Sequence, residues 1–180
     1  MKYINNIFTV EKSSLTKVIK KFETPIFCYS EKKINENINN FKKSFRSFSP
    51  IICFSTKSNC NLEILKQIKR NGLGADVVSR GELMIALKAG ISSKKIVFSG
   101  VGKTRSELAY AIEKNILLIN CESKSEILEI ENIAKSKNKT VDIGIRLNPN
   151  TDAKTLSQIS TGKKENKFGV NEKIFYEILK

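Results

Sequence analysis

Ile51–Leu83 reads IICFSTKSNCNLEILKQIKRNGLGADVVSRGEL, and this stretch decides the fold class. Ile51–Ser55 (IICFS) is a short apolar run rich in β-branched and aromatic residues, the mark of a buried strand. Four polar residues, Thr56–Asn59, follow it. Leu62, Leu65 and Ile68 then recur at helical spacing, and Gly72 supplies a helix stop. Ala75–Val78 (ADVV) is a second strand-like run. Ser79 with Glu82 three residues on has the spacing of a capping box opening the next helix. One strand–helix–strand unit of this length is the repeating element of a parallel sheet.

The pattern extends in both directions. Further strand-like runs are Pro25–Tyr29 (PIFCY), Ile96–Ser99 (IVFS), Ile116–Asn120 (ILLIN) and Val141–Leu147 (VDIGIRL). Helical spacing links Ile34, Ile38, Phe41 and Phe45. It returns in Leu83, Ala86 and Leu87, in Leu108, Ala111 and Ile112, and in Ile127, Ile130 and Ala134. Thr104 with Glu107, and Ser123 with Glu126, repeat the capping-box spacing. So regular an alternation predicts an α/β fold. A barrel and a doubly wound sheet both fit it. Polar residues concentrate in the strand-to-helix loops: Thr56–Asn59, Ser79–Gly81, Gly100–Lys103 and Asn148–Asn150. A (β/α)8 barrel builds its active site from such loops, so the concentration favours the barrel. Six strands do not close it, and a seventh is expected after the helix-like stretch Asn171–Lys180. We therefore expect a lead-in segment over 1–23 and an incomplete barrel over 24–180. Asn148–Lys167 is long for a connector and reads as a lid or substrate loop.

Composition narrows the function. The net charge is +14, yet only five of the basic residues are Arg and the lysines are dispersed. Recognition of nucleic acid leaves clusters, so the dispersed pattern reads as solvated helix faces, and a basic nucleic-acid-binding module is the less favoured alternative. The four cysteines (Cys28, Cys53, Cys60 and Cys121) form no C-x-x-C pair, and the chain has no His. There is thus no C-x-x-C pair or His to complete a zinc set, and no His for Ser–His or Cys–His hydrolase chemistry. Three of the thiols adjoin apolar runs and are expected to be buried and free. No apolar leader and no run near the ~18 apolar residues of a membrane span is present, so a cytoplasmic protein is expected.

Three residues stand out chemically. Lys57 ends an apolar run, and an amine held at an apolar rim is suited to condense with an aldehyde cofactor. A snorkelling surface lysine is the competing reading. Asp76 and Arg146 occupy similar places in their strands, and a buried Asp–Arg pair would satisfy both. Gly100–Thr104 (GVGKT) lacks the glycine spacing of a phosphate-binding P-loop and reads as a tight turn before a capped helix.

Taken together, these segments resemble the fold-type III pyridoxal-phosphate-dependent decarboxylases, the alanine-racemase-like barrel family. Thr24–Tyr29 matches the family's T-P-x-x-x-Y opening. Phe54–Asn59 (FSTKSN) is similar to its Y-A-x-K-A-N motif, and Gly74–Leu83 to G-x-D-V-V-S-x-G-E-L. Ile96–Lys103, Asn120–Ser123, Arg146–Pro149, Ile159–Gly162 and Lys167–Gly169 follow in family order. The I-S-T-G and K-F-G pair resembles the diaminopimelate branch rather than the ornithine, arginine or carboxynorspermidine ones. The resemblance implies decarboxylation of meso-diaminopimelate to L-lysine with pyridoxal 5'-phosphate held on Lys57. It implies supporting roles near the cofactor for Asp76 and Arg146, an amino-acid substrate and a homodimer. Leu156 stands where that branch usually has His. The family chain is about twice this length and carries a stacking histidine, a glycine-rich phosphate loop, an E-P-G-R segment and a C-terminal β-domain. By that resemblance the 180 residues alone are expected to be weakly active or inactive, as a remnant or as one half of a split enzyme with a complementary C-terminal chain.

Overall fold

The computed structural model describes residues 2–151 and 168–179. Ile159–Gly162, Lys167, Leu156 and most of the expected lid lie outside the described residues. The chain forms two compact units, Met1–Pro50 and Ile51–Lys180.

In the first unit, β1 (Lys2–Ile4), β2 (Ile7–Val10) and β3 (Ser13–Ser14) make an antiparallel sheet in sequence order, followed by α1 (Leu15–Lys21) and α2 (Glu31–Ser44). Ser30 caps α2 by accepting the Lys33 N–H at 3.1 Å. Glu11 Oε1 accepts from Ser30 Oγ at 2.8 Å and from the Lys32 N–H at 2.9 Å, so the carboxylate sits where the helix dipole favours it. These bonds hold the Glu11 carboxyl below its usual range. The Pro25–Tyr29 run does not form the expected strand. Pro25 has no N–H to donate, the run joins no ladder among the described residues, and Phe27 and Tyr29 are exposed.

The second unit is a parallel sheet of β4 (Cys53–Ser55), β5 (Gly74–Val77), β6 (Ile96–Phe98), β7 (Leu118–Cys121) and β8 (Ile143–Ile145). Spatial order equals sequence order, and every pair is parallel. A doubly wound sheet reverses its order at a switch point. No reversal occurs across these strands, so the arrangement is that of a barrel segment. One helix crosses between each pair: α3 (Leu62–Arg70), α4 (Arg80–Lys88), α5 (Arg105–Glu113) and α6 (Lys124–Ser136). An isolated parallel bridge, Leu147 to Val170, extends the β8 edge, and α7 (Glu172–Leu179) follows it on the stretch expected to be helical.

Strand alternation divides the sheet into two faces. Ala75, Val77, Ile96, Phe98, Ile119 and Cys121 are each fully buried on one of them. Leu65, Ile68, Leu83, Ala86, Leu108, Ala111, Ile130 and Ile133, the apolar stripes of the four crossover helices, complete that core. The other face carries Ser55, Asp76, Val97, Leu118, Asn120 and Gly144 at matching register, and none of these is fully buried. Polar residues inside strands that read as apolar runs thus fall on one surface. Helix ends follow local chemistry. α3 stops in a Schellman motif, with the Gly72 N–H on Lys69 O and the Leu73 N–H on Ile68 O, and α4 repeats it at Gly90 and Ile91.

The thiols differ from expectation. All four are free, but only Cys121 is buried; Cys28 and Cys53 are half-buried and Cys60 is exposed. Cys28 lies in the run that forms no strand, and Cys53 lies on β4, the first strand of the five-stranded order. Burial, with the Glu126 carboxylate nearby, pushes the Cys121 thiol up to about 12. Its reactive thiolate is therefore scarce below that pH. Iodoacetamide at pH 8 is expected to label Cys60 in the folded protein and Cys121 only after denaturation. Peptide mass mapping at both stages checks this; labelling of Cys121 at the Cys60 rate in the fold would contradict it.

No helix among the described residues is long and apolar enough to cross a membrane.

Candidate active site

The carboxyl ends of the five parallel strands converge. β4 runs into a 3-10 turn, Thr56–Ser58, which carries Lys57. Asp76 lies in β5, Asn120 in β7, and Ser99, Glu122 and Arg146 directly follow β6, β7 and β8. With Val78, Gly100, Val101 and Phe168 they line a cavity of about 590 Å³. That volume lies in the range of small-molecule sites. The structure thus brings together all three residues singled out from sequence: Lys57, Asp76 and Arg146.

Their partners are not the expected ones. Arg146 does not reach Asp76. Its Nη1 donates to Glu122 Oε1 at 3.0 Å, and its guanidinium lies 4.7 Å from the Phe168 ring centre. Two strands separate Asp76 on β5 from Arg146 after β8, and the loop following β7 supplies a nearer carboxylate. Glu122, with a side chain 4% exposed, also accepts the Gly169 N–H through Oε2 at 2.8 Å. A buried carboxylate satisfied by a guanidinium and a backbone donor meets the condition for burying charge. Asp76 instead ends a polar chain across three strands. Asn120 Nδ2 donates to Ser99 Oγ at 3.1 Å, and the Ser99 hydroxyl donates to Asp76 Oδ1 at 2.5 Å.

Lys57 is exposed. The 3-10 turn rotates the chain so that Thr56 takes the fully buried place and Lys57 faces the cavity. Ser58 Oγ donates to Ser55 O at 2.7 Å and the Asn59 N–H to Thr56 O at 3.0 Å, closing the turn.

The three capping boxes read from sequence all cap their helices, but they differ in use. Ser79, Thr104 and Ser123 each accept the N–H of the glutamate three residues on. Only Glu107 completes the reciprocal bond, to the Thr104 N–H at 3.0 Å. Glu82 and Glu126 bind the residue before the cap, the Val78 N–H at 2.9 Å and the Glu122 N–H at 2.8 Å. Each also reaches the preceding strand–helix loop. Glu82 Oε2 meets Thr56 Oγ1 at 2.9 Å, and Glu126 Oε1 meets Lys103 Nζ at 2.6 Å. Even Glu107 reaches back, taking the Arg80 N–H at 3.0 Å. These carboxylates staple successive loops around the rim of the site. Backbone N–H donors from Thr104 and Arg80 hold the Glu107 carboxyl below its usual range.

Lys103 explains the GVGKT segment. Its side chain is 1% exposed, and its ammonium donates to Gly100 O at 2.6 Å, Asn120 O at 2.7 Å and Glu126. All three donors are satisfied within the protein. The lysine is a clamp between the β6 and β7 loops rather than a phosphate ligand. Ser99, Asn120 and Glu122 lie within the segments Ile96–Lys103 and Asn120–Ser123, where residue type alone assigns them no role. The signal that could have found them is polarity at the carboxyl ends of apolar runs.

Similarity to known proteins bears on this geometry. The family model of the pyridoxal-dependent decarboxylases, pyridoxal binding domain, matches residues 31–180. The chain is 50% identical over 152 residues to a diaminopimelate decarboxylase of Helicobacter pylori, a match covering 84% of this chain and 38% of the relative. It is 39% identical over 171 residues to the diaminopimelate decarboxylase of Aquifex aeolicus, covering 95% of this chain and 40% of that one. Among solved structures, it superposes on Helicobacter pylori diaminopimelate decarboxylase complexed with L-lysine with a TM-score of 0.88. Identity there is 45%, with 92% of this chain and 42% of that chain covered. For the diaminopimelate decarboxylase of Methanocaldococcus jannaschii the TM-score is 0.89 at 36% identity, covering 99% of this chain and 44% of that chain. The chain spans about two fifths of the length of these relatives. A sheet in strict sequence order, with its lysine-bearing turn at the carboxyl ends, agrees with that match, and the chain belongs to the pyridoxal-dependent decarboxylase family, within its pyridoxal-binding domain.

Proposed function

We propose that this domain binds pyridoxal 5'-phosphate through Lys57 and serves the decarboxylation of meso-diaminopimelate to L-lysine. One observation carries the reading. Lys57 stands on the first turn after β4 and shares a cavity with Asp76 and Arg146 at the carboxyl ends of a barrel-type sheet. The donor set suits the cofactor: an exposed primary amine for its aldehyde, a guanidinium for its anionic groups and a hydrogen-bonded carboxylate for its ring.

When bound, the cofactor supplies the electron sink for the carbon left by CO2 loss. Lys57 Nζ would hold the cofactor through its aldehyde carbon. Ser99 fixes the Asp76 carboxylate through the bond to Oδ1, so its charge stays directed into the cavity. Glu122 orients the Arg146 guanidinium and ties it to Gly169. Diaminopimelate as substrate is supported by identity of up to 50% to enzymes of that name. The reading carries with it a cytoplasmic setting and a homodimeric assembly.

Mixing the purified chain with pyridoxal phosphate is expected to give a visible absorbance band that Lys57→Ala removes. Equal, weak absorbance in both proteins would mean that surface lysines react at random, and the assignment would fall.

A further inference from the structure

We propose that Thr56 and Glu82 form a positioning latch that sets the place of Lys57; this rests on the reading of Lys57 as the reactive amine. Thr56 immediately precedes Lys57 and is fully buried. Its Oγ1 lies 2.5 Å from the Asp76 carbonyl oxygen and 2.9 Å from Glu82 Oε2, and its single proton is shared between them. The same Glu82 oxygen accepts the Val78 N–H at 2.9 Å. One carboxylate oxygen thus joins the turn carrying Lys57 to the end of β5 and to the start of α4. A buried hydroxyl confined between two acceptors is satisfied in this placement and not in a shifted one.

Comparison within the molecule separates this role from helix capping. Glu107 holds the equivalent place in α5 and closes its own box. α4 is capped by Ser79 without help from the Glu82 carboxylate. That carboxylate therefore acts on the turn. Neither Thr56 nor Glu82 lines the cavity, whereas Lys57, Asp76 and Val78 beside them do. The latch works through those neighbours and touches no reacting atom.

The test compares Thr56→Val, which keeps the shape and removes the hydroxyl, with Thr56→Ser, which restores it. Glu82→Met, which keeps the length and removes the acceptor, is a second route to the same loss, and Glu107→Met is the control. Amide exchange without cofactor, read by mass spectrometry, is expected to rise about tenfold across Phe54–Asn59 in Thr56→Val and Glu82→Met, the scale of one lost hydrogen bond. It should stay near the parent in Thr56→Ser and Glu107→Met. Exchange in β6 and β7, followed in the same samples, should not change. The cofactor band should then need about tenfold more pyridoxal phosphate in Thr56→Val and recover in Thr56→Ser. Exchange that rises evenly over the whole sheet, or a parental cofactor affinity in Thr56→Val while Lys57→Ala abolishes the band, would overturn the latch and leave Lys57 standing. A band that survives Lys57→Ala would overturn both.

Discussion

Lys103→Met is expected to lower the stability of the second unit by about 3–5 kcal/mol, the cost of leaving one partner of a buried ion pair alone. The side chains of Lys103 and Glu126 are 1% and 10% exposed, so solvent screens the pair little. Methionine keeps the stem but removes all three donors. The Gly100 and Asn120 carbonyls then lose a partner each, and the Glu126 carboxylate is left with the Glu122 N–H. Adding Glu126→Gln should restore part of the loss, because an unpaired charge rather than a missing contact dominates the cost. Urea unfolding with an unchanged slope measures both proteins. A shift under about 1 kcal/mol for Lys103→Met would place the pair among ordinary surface bridges. The site should respond as well, since the clamp fixes Gly100 and Asn120, which both line the cavity.

Phe98→Ala is expected to cost about 3–5 kcal/mol as well, through a cavity in the core. Phe98 lies on β6, the central strand of the five, and is fully buried. The parallel registers place Val77 and Ile119 opposite it on the flanking strands, and both are also fully buried. A vacancy there is bounded by sheet on two sides and cannot collapse without moving strands. A loss of this size approaches the whole stability of an ordinary domain, about 5–15 kcal/mol. The fall in the urea midpoint measures it, and Phe98→Leu, which refills most of the volume, should recover more than half. Equal midpoints for parent and Phe98→Ala would contradict the buried placement.

The order of elements in the second unit was legible because each signal there is local. IICFS, ADVV, IVFS and ILLIN alternate with capped helical stripes, and the sheet follows them strand by strand. PIFCY looked the same and is no strand, because apolar content says nothing of whether a ladder partner is at hand. The barrel-or-open-sheet question also depended on pairing. Spatial order decided it, and no window of sequence contains spatial order.

The site divides in the same way. Lys57 was legible as a polar residue ending an apolar run, and Asp76 and Arg146 as charged residues within theirs. Their partners were not, since Asp76 takes Ser99 and Arg146 takes Glu122, choices made by strand adjacency. Glu82 and Glu126 show the limit most clearly. The spacing predicted helix caps, the caps exist, and the carboxylates nevertheless work elsewhere. Lys103 sat in a segment read as a turn, and its burial follows from three acceptors brought together by separate loops.

The most direct test of Lys57 as the cofactor lysine is reductive trapping. The chain is incubated with pyridoxal phosphate and reduced with borohydride, and its peptides are mapped by mass. A pyridoxyl mass on Lys57, with the other lysines largely unmodified, is the expected result. Modification spread over exposed lysines, with Lys57 no more labelled than the rest, would contradict it.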